Sequence, residues 1–195
     1  MKIAIYSGSF NPIHNGHLAV ARAALSEGYD EVWMVVSPQN PHKSKEELWP
    51  FEERMKMVKL CLANEEHIKF SDCENTLPRP SYTINTLEYL REQHPEHQFS
   101  LLIGGDNLQK FHLWKDYQKI IDSFGLIVYP RASGKAIQFE NQSGIHILSA
   151  PLLNISSSGI KKLLTENQSI HGLVSTEVEK YLLQKFKTTR SEPKF

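Results

Sequence analysis

An α/β fold, with an open parallel sheet and helices on both faces, follows from three observations. The run Lys2–Tyr6 is short and apolar, as a buried strand is. Behind it Leu18, Val20, Ala21, Ala24 and Leu25 recur at helical spacing, which predicts a helix from near Gly16. A second apolar run, Glu31–Val36, then ends in a loop at Ser37-Pro38. Strand, helix and strand at this spacing form a βαβ unit, whose right-handed crossover lays the two strands parallel.

The same alternation continues. Phe51, Met55, Val58 and Leu62 mark an amphipathic helix with its apolar side to the core. His67–Phe70 reads as a short strand and Glu74–Pro80 as a proline-containing loop. A helix opens at Ser81–Leu87, with Ser81 or Thr83 as its cap, and stops at His94-Pro95. Phe99–Ile103 is the next strand, followed by a helix over Asp116–Ser123 and a strand over Phe124–Tyr129. Ala132–Gly144 reads as a polar surface excursion, and Ile145–Leu148 as the final strand. Ile160, Leu163 and Leu164 place a helix behind three serines, and Val174, Val178, Tyr181 and Leu182 place another. Thr188–Phe195 reads as a disordered polar tail. With 195 residues, 40% hydrophobic content and no internal repeat or linker, one domain over residues 1–187 is expected.

Lys+Arg and Asp+Glu are both 22, a balance that argues against a nucleic-acid or membrane-surface binder. Cys61 and Cys73 form no motif and read as reduced thiols. The N-terminus enters a strand without a charged and apolar leader, and no run approaches the length of a membrane span. A cytoplasmic protein is expected. Nothing in the sequence specifies an oligomeric state.

The chemistry concentrates in Gly8-Ser9-Phe10-Asn11-Pro12-Ile13-His14-Asn15-Gly16-His17-Leu18. A strand-to-helix turn with Gly8 at its apex lets backbone N–H groups approach a phosphate, and the following helix points its positive end there. His14 and His17, three residues apart, fall on one side of that helix start and can donate to a phosphate chain or shield charge developing on it. A metal pair or two surface histidines are the competing readings. No Cys, Asp or Glu lies at ligand spacing in the stretch, so no metal ligand is assigned. In the loop after the second strand, His42 and Lys43 can close over a phosphate from the opposite side, or belong to a mobile polar loop. Gly104-Gly105-Asp106 permits close approach of a ligand, with Asp106 suited to accept from a ribose hydroxyl, although such a triplet is often just a turn. Ser156 or Ser157 is an ordinary N-cap, and the helix start behind them is also an anion site.

His-x-Gly-His after a Gly-Ser-Phe-x-Pro turn resembles the signature of the nucleotidyltransferase superfamily of Rossmann-like α/β enzymes. Segments 8–18, 40–43, 81–87, 102–107 and 155–161 resemble, in order, the pattern of bacterial nicotinate mononucleotide adenylyltransferases. The resemblance implies transfer of the adenylyl group of ATP to nicotinate mononucleotide, giving deamido-NAD and pyrophosphate. It places ATP on Gly8, Ser9, Phe10, His14, His17, Gly104, Asp106, Ile155, Ser156, Ser158 and Lys161. It places the mononucleotide on Asn40, His42, Lys43, Ser81, Thr83, Trp114 and Lys115, with the Trp114 indole stacked on the pyridine ring. The chain departs from the pattern at Asn40, where the family usually has proline. It departs again at Lys115, where an aromatic residue is frequent, and at Lys161, where Arg is usual.

The nucleophile of such a reaction is a phosphate already anionic at neutral pH, so no general base is required. The work is alignment and charge neutralisation by His14, His17 and Lys43, with Mg²⁺ arriving bound to ATP. Phosphopantetheine adenylyltransferases share the first and last motifs, and cytidylyltransferases the first. A nucleotide sensor without catalysis is a further alternative, against which the intact His14 and His17 argue.

Overall fold

A computed structural model of the chain describes residues 1–38, 48–130, 143–150 and 153–191. Six strands form one sheet: β1 (Lys2–Gly8), β2 (Glu31–Val36), β3 (Ile68–Ser71), β4 (Gln98–Gly104), β5 (Leu126–Tyr129) and β6 (Ile145–Ile147). Their order is β3-β2-β1-β4-β5-β6, and every neighbouring pair is parallel. The helices are α1 (Asn15–Ser26), α2 (Phe51–Cys61), α3 (Thr83–Gln93), α4 (Gly105–Leu108), α5 (Tyr117–Phe124), α6 (Ser157–Thr165) and α7 (Thr176–Ser191). The expected α/β sheet is therefore present.

Successive strand residues point to opposite faces, and each face carries its own apolar layer. Ala4 and Tyr6 of β1 lie in one layer with Val32, Met34, Leu18, Val58, Ile160 and Val178. Ile3 and Ile5 lie in the other with Leu101, Ile103, Leu87, Ile120 and Phe124. Burial on both faces explains why the strands read as unbroken apolar runs.

The chain steps outward from β1 to β2 and β3, and α3 then carries it back across to β4, on the other side of β1. This makes the β1–β4 junction the switch point of the sheet, where ligands gather beyond the strand ends. Ile5 and Leu101 are the last residues paired between β1 and β4; beyond them Gly8 stays paired with Val36 of β2 and Gly104 with Tyr129 of β5. The two glycine segments singled out in the sequence thus lie at the same end of the two strands that flank this junction.

Three details differ from the expectations. Phe124 closes α5 instead of opening a strand, because Gly125 (φ 76°) turns the chain there and its N–H donates to the carbonyls of Ile120 and Ile121 at the helix end. A short 3₁₀ turn, Cys73–Asn75, interrupts the loop after β3. The helix α7 runs through Thr188 to Ser191, into the segment read as a tail. Among the described residues no helix is long and apolar enough to cross a membrane. Asn40, His42 and Lys43, and nearly all of the polar excursion over Ala132–Gly144, lie outside the described residues.

Candidate active site

The turn after β1 is built from the ring of Phe10 upward. Phe10 adopts φ 43° and buries its ring edge-on against Tyr6 (centroids 5.5 Å apart) and His17 (5.0 Å). A Cβ on Gly8 would stand 3.1 Å from Cζ of that ring, so the glycine makes room for Phe10. His14 is the N-cap of α1 and is 2% exposed, whereas His17 in the first turn is half-buried. Their rings stack with centroids 3.7 Å apart at 27°. The backbone N–H of His14 donates to Nδ1 of His17 at 3.2 Å. A backbone amide can only donate, so Nδ1 is the acceptor and the neutral imidazole carries its hydrogen on Nε2. Gly16 completes the arrangement, because a Cβ there would sit 2.9 Å from His14 Nδ1 and 3.0 Å from Cε1.

Two distant segments hold this turn. The Asn15 N–H donates to the Leu173 carbonyl (2.9 Å) and its side-chain Nδ2 to that of Gly172 (2.8 Å), which ties the start of α1 to the α6–α7 connection. Arg54 of α2, 1% exposed, donates from Nη1 to the carbonyls of Ser9 and Ser37 (2.8 Å each), from Nη2 to that of Pro38 (3.0 Å) and from Nε to that of Trp49 (3.0 Å). Burial holds the Arg54 guanidinium below its usual value. It nails the ends of β1 and β2 to the start of α2. The pattern of apolar positions in α2 conceals this role. The available signal is that Arg54 falls three residues after Phe51, on the helix's apolar side.

The first turn of α6 lies against the same turn. Ser156 is its N-cap, with Oγ accepting the Gly159 N–H at 3.1 Å, while Ser157 Oγ donates to the Pro12 carbonyl at 2.9 Å. Ser158 is exposed, with its hydroxyl 3.3 Å from that of Ser156. Ile155 Cβ would lie 3.6 Å from a Cβ on Gly16. Lys161 sets its ammonium 5.3 Å from the centre of the Trp49 ring, and the Trp49 N–H donates to Asn11 Oδ1 at 3.1 Å. Residues 8–17 and 155–161 are thus brought together, with the N-termini of α1 and α6 side by side.

The start of α3 forms the other wall. The expected cap by Ser81 or Thr83 is not made: Tyr82 occupies the N-cap position without a side-chain cap bond. Ser81 lies one residue before that position, and its hydroxyl donates to the buried carboxylate of Glu74 at 2.8 Å. Thr83, half-buried, is the first helical residue. Lys115 holds its ammonium 4.8 Å from the centre of the Tyr82 ring, and the half-buried Trp114 packs on Phe111 with ring centroids 5.2 Å apart. Gly104 is the N-cap of the short α4, and Asp106 is exposed in its only turn. The described residues bring together one set of three metal-ligating types, His94, Glu96 and His97. It immediately precedes β4, at the N-terminal end of that central strand, whereas this site lies beyond the strands' C-terminal ends.

Comparison with known proteins gives a consistent picture. Residues 5–163 match the family described as cytidylyltransferase-like. A protein of Cytophaga hutchinsonii named "Probable nicotinate-nucleotide adenylyltransferase" is 42% identical over 186 residues, 95% of this chain and 97% of that one. One of the same name from Bacteroides fragilis is 40% identical over 184 residues, 94% and 92% of the two chains. The nicotinic acid mononucleotide adenylyltransferase of Plasmodium falciparum, in complex with NaAD, superposes with a TM-score of 0.76 over 94% of this chain and 95% of its own, at 24% identity. That last likeness is one of fold.

Proposed function

The chain belongs to the nicotinate-nucleotide adenylyltransferase family, within the broader cytidylyltransferase-like group, and we infer from that membership that it transfers the adenylyl group of ATP to nicotinate mononucleotide. The products are deamido-NAD and pyrophosphate, a step of NAD biosynthesis. The observation that carries the reading is the meeting of two helix N-termini on the stacked His14–His17 pair at the sheet's switch point.

The reaction follows from that arrangement. The 5′-phosphate of the mononucleotide attacks the α-phosphorus of ATP, the bond from that phosphorus to the bridging oxygen breaks, and pyrophosphate leaves with the electron pair. The attacking phosphate is an anion at neutral pH, so no proton need be removed. His17 offers its Nε2–H to the phosphate oxygens, since Nδ1 is occupied by the His14 amide. His14 supports it by stacking. The first turns of α1 and α6, with Ser156, Ser158 and Lys161, neutralise charge growing on the pyrophosphate. Lys161, with its ammonium 5.3 Å from the centre of the Trp49 ring, keeps the charge of the usual Arg without its bidentate fork.

On the acceptor side, Asp106 takes a ribose hydroxyl and Gly104 lets the nucleotide lie close to β4. The α3 start and Lys115 receive the pyridine carboxylate and Trp114 offers the ring face, and the family pattern assigns Asn40, His42 and Lys43 to the mononucleotide. ATP enters as its magnesium complex. A cytoplasmic location accords with ATP as substrate. The test is pyrophosphate release from ATP with nicotinate mononucleotide, nicotinamide mononucleotide or phosphopantetheine as acceptor. Turnover with the first, and more slowly with the second, is expected. Turnover with phosphopantetheine alone, or with CTP in place of ATP, overturns the reading.

A further inference from the structure

Glu74 occupies a position that the adenylyl-transfer chemistry does not call for. It lies in the short 3₁₀ turn after β3, is 2% exposed, and gathers three hydroxyls. Oε1 accepts from Ser7 Oγ at 3.0 Å and from Thr86 Oγ1 at 3.1 Å, and Oε2 accepts from Ser81 Oγ at 2.8 Å. A buried carboxylate is tolerated only when such donors replace its water. The three donors come from two different walls of the site. Ser7 is the residue before Gly8, where β1 passes into the phosphate turn. Ser81 immediately precedes the N-cap of α3, and Thr86 lies in its first turns.

Glu74 is thus a strut between the phosphate turn and the helix start opposite. A mononucleotide has a phosphate at one end and a pyridine substituent at the other, and the strut joins the two protein segments that face those ends. The strut also decides what the α3 start can offer. With their O–H groups directed at Glu74, Ser81 and Thr86 present only lone pairs elsewhere. The Asn85 and Thr86 amides already donate to the Tyr82 carbonyl. A carboxylate arriving at α3 is therefore met by the first backbone amides of the helix, held where Glu74 sets them.

We propose that Glu74 is a positioning residue for the mononucleotide, fixing the α3 start relative to the phosphate turn so that the acceptor, and not ATP, is held in register. The proposal rests on the adenylyltransferase reading above. Its signature is a split between the two substrates: a defect on one wall weakens the ligand that touches that wall.

The experiment compares the unmutated protein with Glu74→Gln and Ser7→Ala in steady-state kinetics and in equilibrium binding of nicotinate mononucleotide, well below each variant's Tm. Glu74→Gln keeps the shape but turns one acceptor into an N–H₂ group facing a hydroxyl. Ser7→Ala cuts only the tether to β1 and leaves Glu74 bonded to α3. Glu74→Gln is expected to raise KM and Kd for the mononucleotide about tenfold or more, with KM for ATP changed less than twofold. Ser7→Ala is expected to shift the same pair about threefold to tenfold and to lower Tm by a few degrees, with Ser81 and Thr86 still bonded to the carboxylate. If Glu74→Gln does not fold, Ser7→Ala decides. Unchanged mononucleotide affinity in the folded variants, or an equal rise of KM for both substrates, overturns the proposal alone. An unmutated protein that uses no pyridine mononucleotide overturns the adenylyltransferase reading and the proposal with it.

Discussion

The ammonium of Lys115 stands 4.8 Å from the centre of the Tyr82 ring, which keeps a positive charge beside the first turn of α3. Both the helix dipole and this ammonium favour an anionic pyridine substituent over a neutral amide. We expect kcat/KM for nicotinate mononucleotide to exceed that for nicotinamide mononucleotide by about tenfold to a hundredfold, or 1.4–3 kcal/mol. Lys115→Ala should remove about threefold to fivefold of that preference, since an exposed cation–π pair and a screened charge are each worth roughly 0.5–1 kcal/mol. Equal kcat/KM for both acceptors in the unmutated protein would refute this account of the pocket.

His17→Ala should lower kcat by about a hundredfold or more and leave mononucleotide binding nearly unchanged, because its Nε2–H acts on charge that develops during the reaction. No base is used, so raising the pH should restore nothing. Recovery of the variant's rate at high pH would call for a proton acceptor. The tautomer has its own test: imidazole ¹⁵N spectra of the neutral protein should show His17 protonated at Nε2 and unprotonated at Nδ1.

Gly16→Ala pits two effects against each other. Alanine is the better helix former by about 0.5–1 kcal/mol, but its Cβ would meet the buried His14 ring at 2.9 Å. Overpacking of this kind costs about 1–3 kcal/mol, so the clash should win. Thermal unfolding should come a few degrees lower, and kcat should fall as His14 loses its stack on His17. An alanine variant with higher Tm and full activity would show that the ring yields freely.

The strand, turn and helix start around His14 and His17 were readable because everything they need is local: strand, glycine, two histidines and a helix start occur within eighteen residues. Ser156 as the cap of α6 was readable for the same reason. Arg54 and Glu74 were not, since an arginine in an amphipathic helix and a glutamate in a polar loop look solvated until the fold is known. Their partners, Ser9, Ser37 and Pro38 for one, Ser7, Ser81 and Thr86 for the other, are close only in space. Ser81 and Thr83 were misread as helix caps because their residue type suits a cap, and the buried carboxylate that claims Ser81 leaves no local trace.

The thiol of Cys61 gives stability a dependence on alkaline pH. Burial pushes its pKa up to about 11, above the usual value near 8.5. Between those values the unfolded chain releases a proton that the folded protein keeps, so fewer protons are bound unfolded and stability falls as pH rises. The contribution is intact below about pH 8.5 and is lost toward pH 11, amounting to roughly 3 kcal/mol. Chemical denaturation at pH 8 and at pH 10.5 should show the loss, and Cys61→Ala should flatten that part of the profile. An identical slope in the alanine variant would assign it to other groups.

The bonds from Asn15 to Gly172 and Leu173, and from Ser157 to Pro12, close the earliest part of the chain with nearly the latest. During synthesis the first βαβ unit can form and bury its apolar face while the ribosome is still making the second half of the protein. The same nascent chain lacks the loop that anchors α1 and the helix whose first turn lies against the turn after β1. The proposed nucleotide site is therefore complete only when the C-terminal helices emerge and dock. A polypeptide cut short before residue 172 lacks the carbonyls that hold the start of α1.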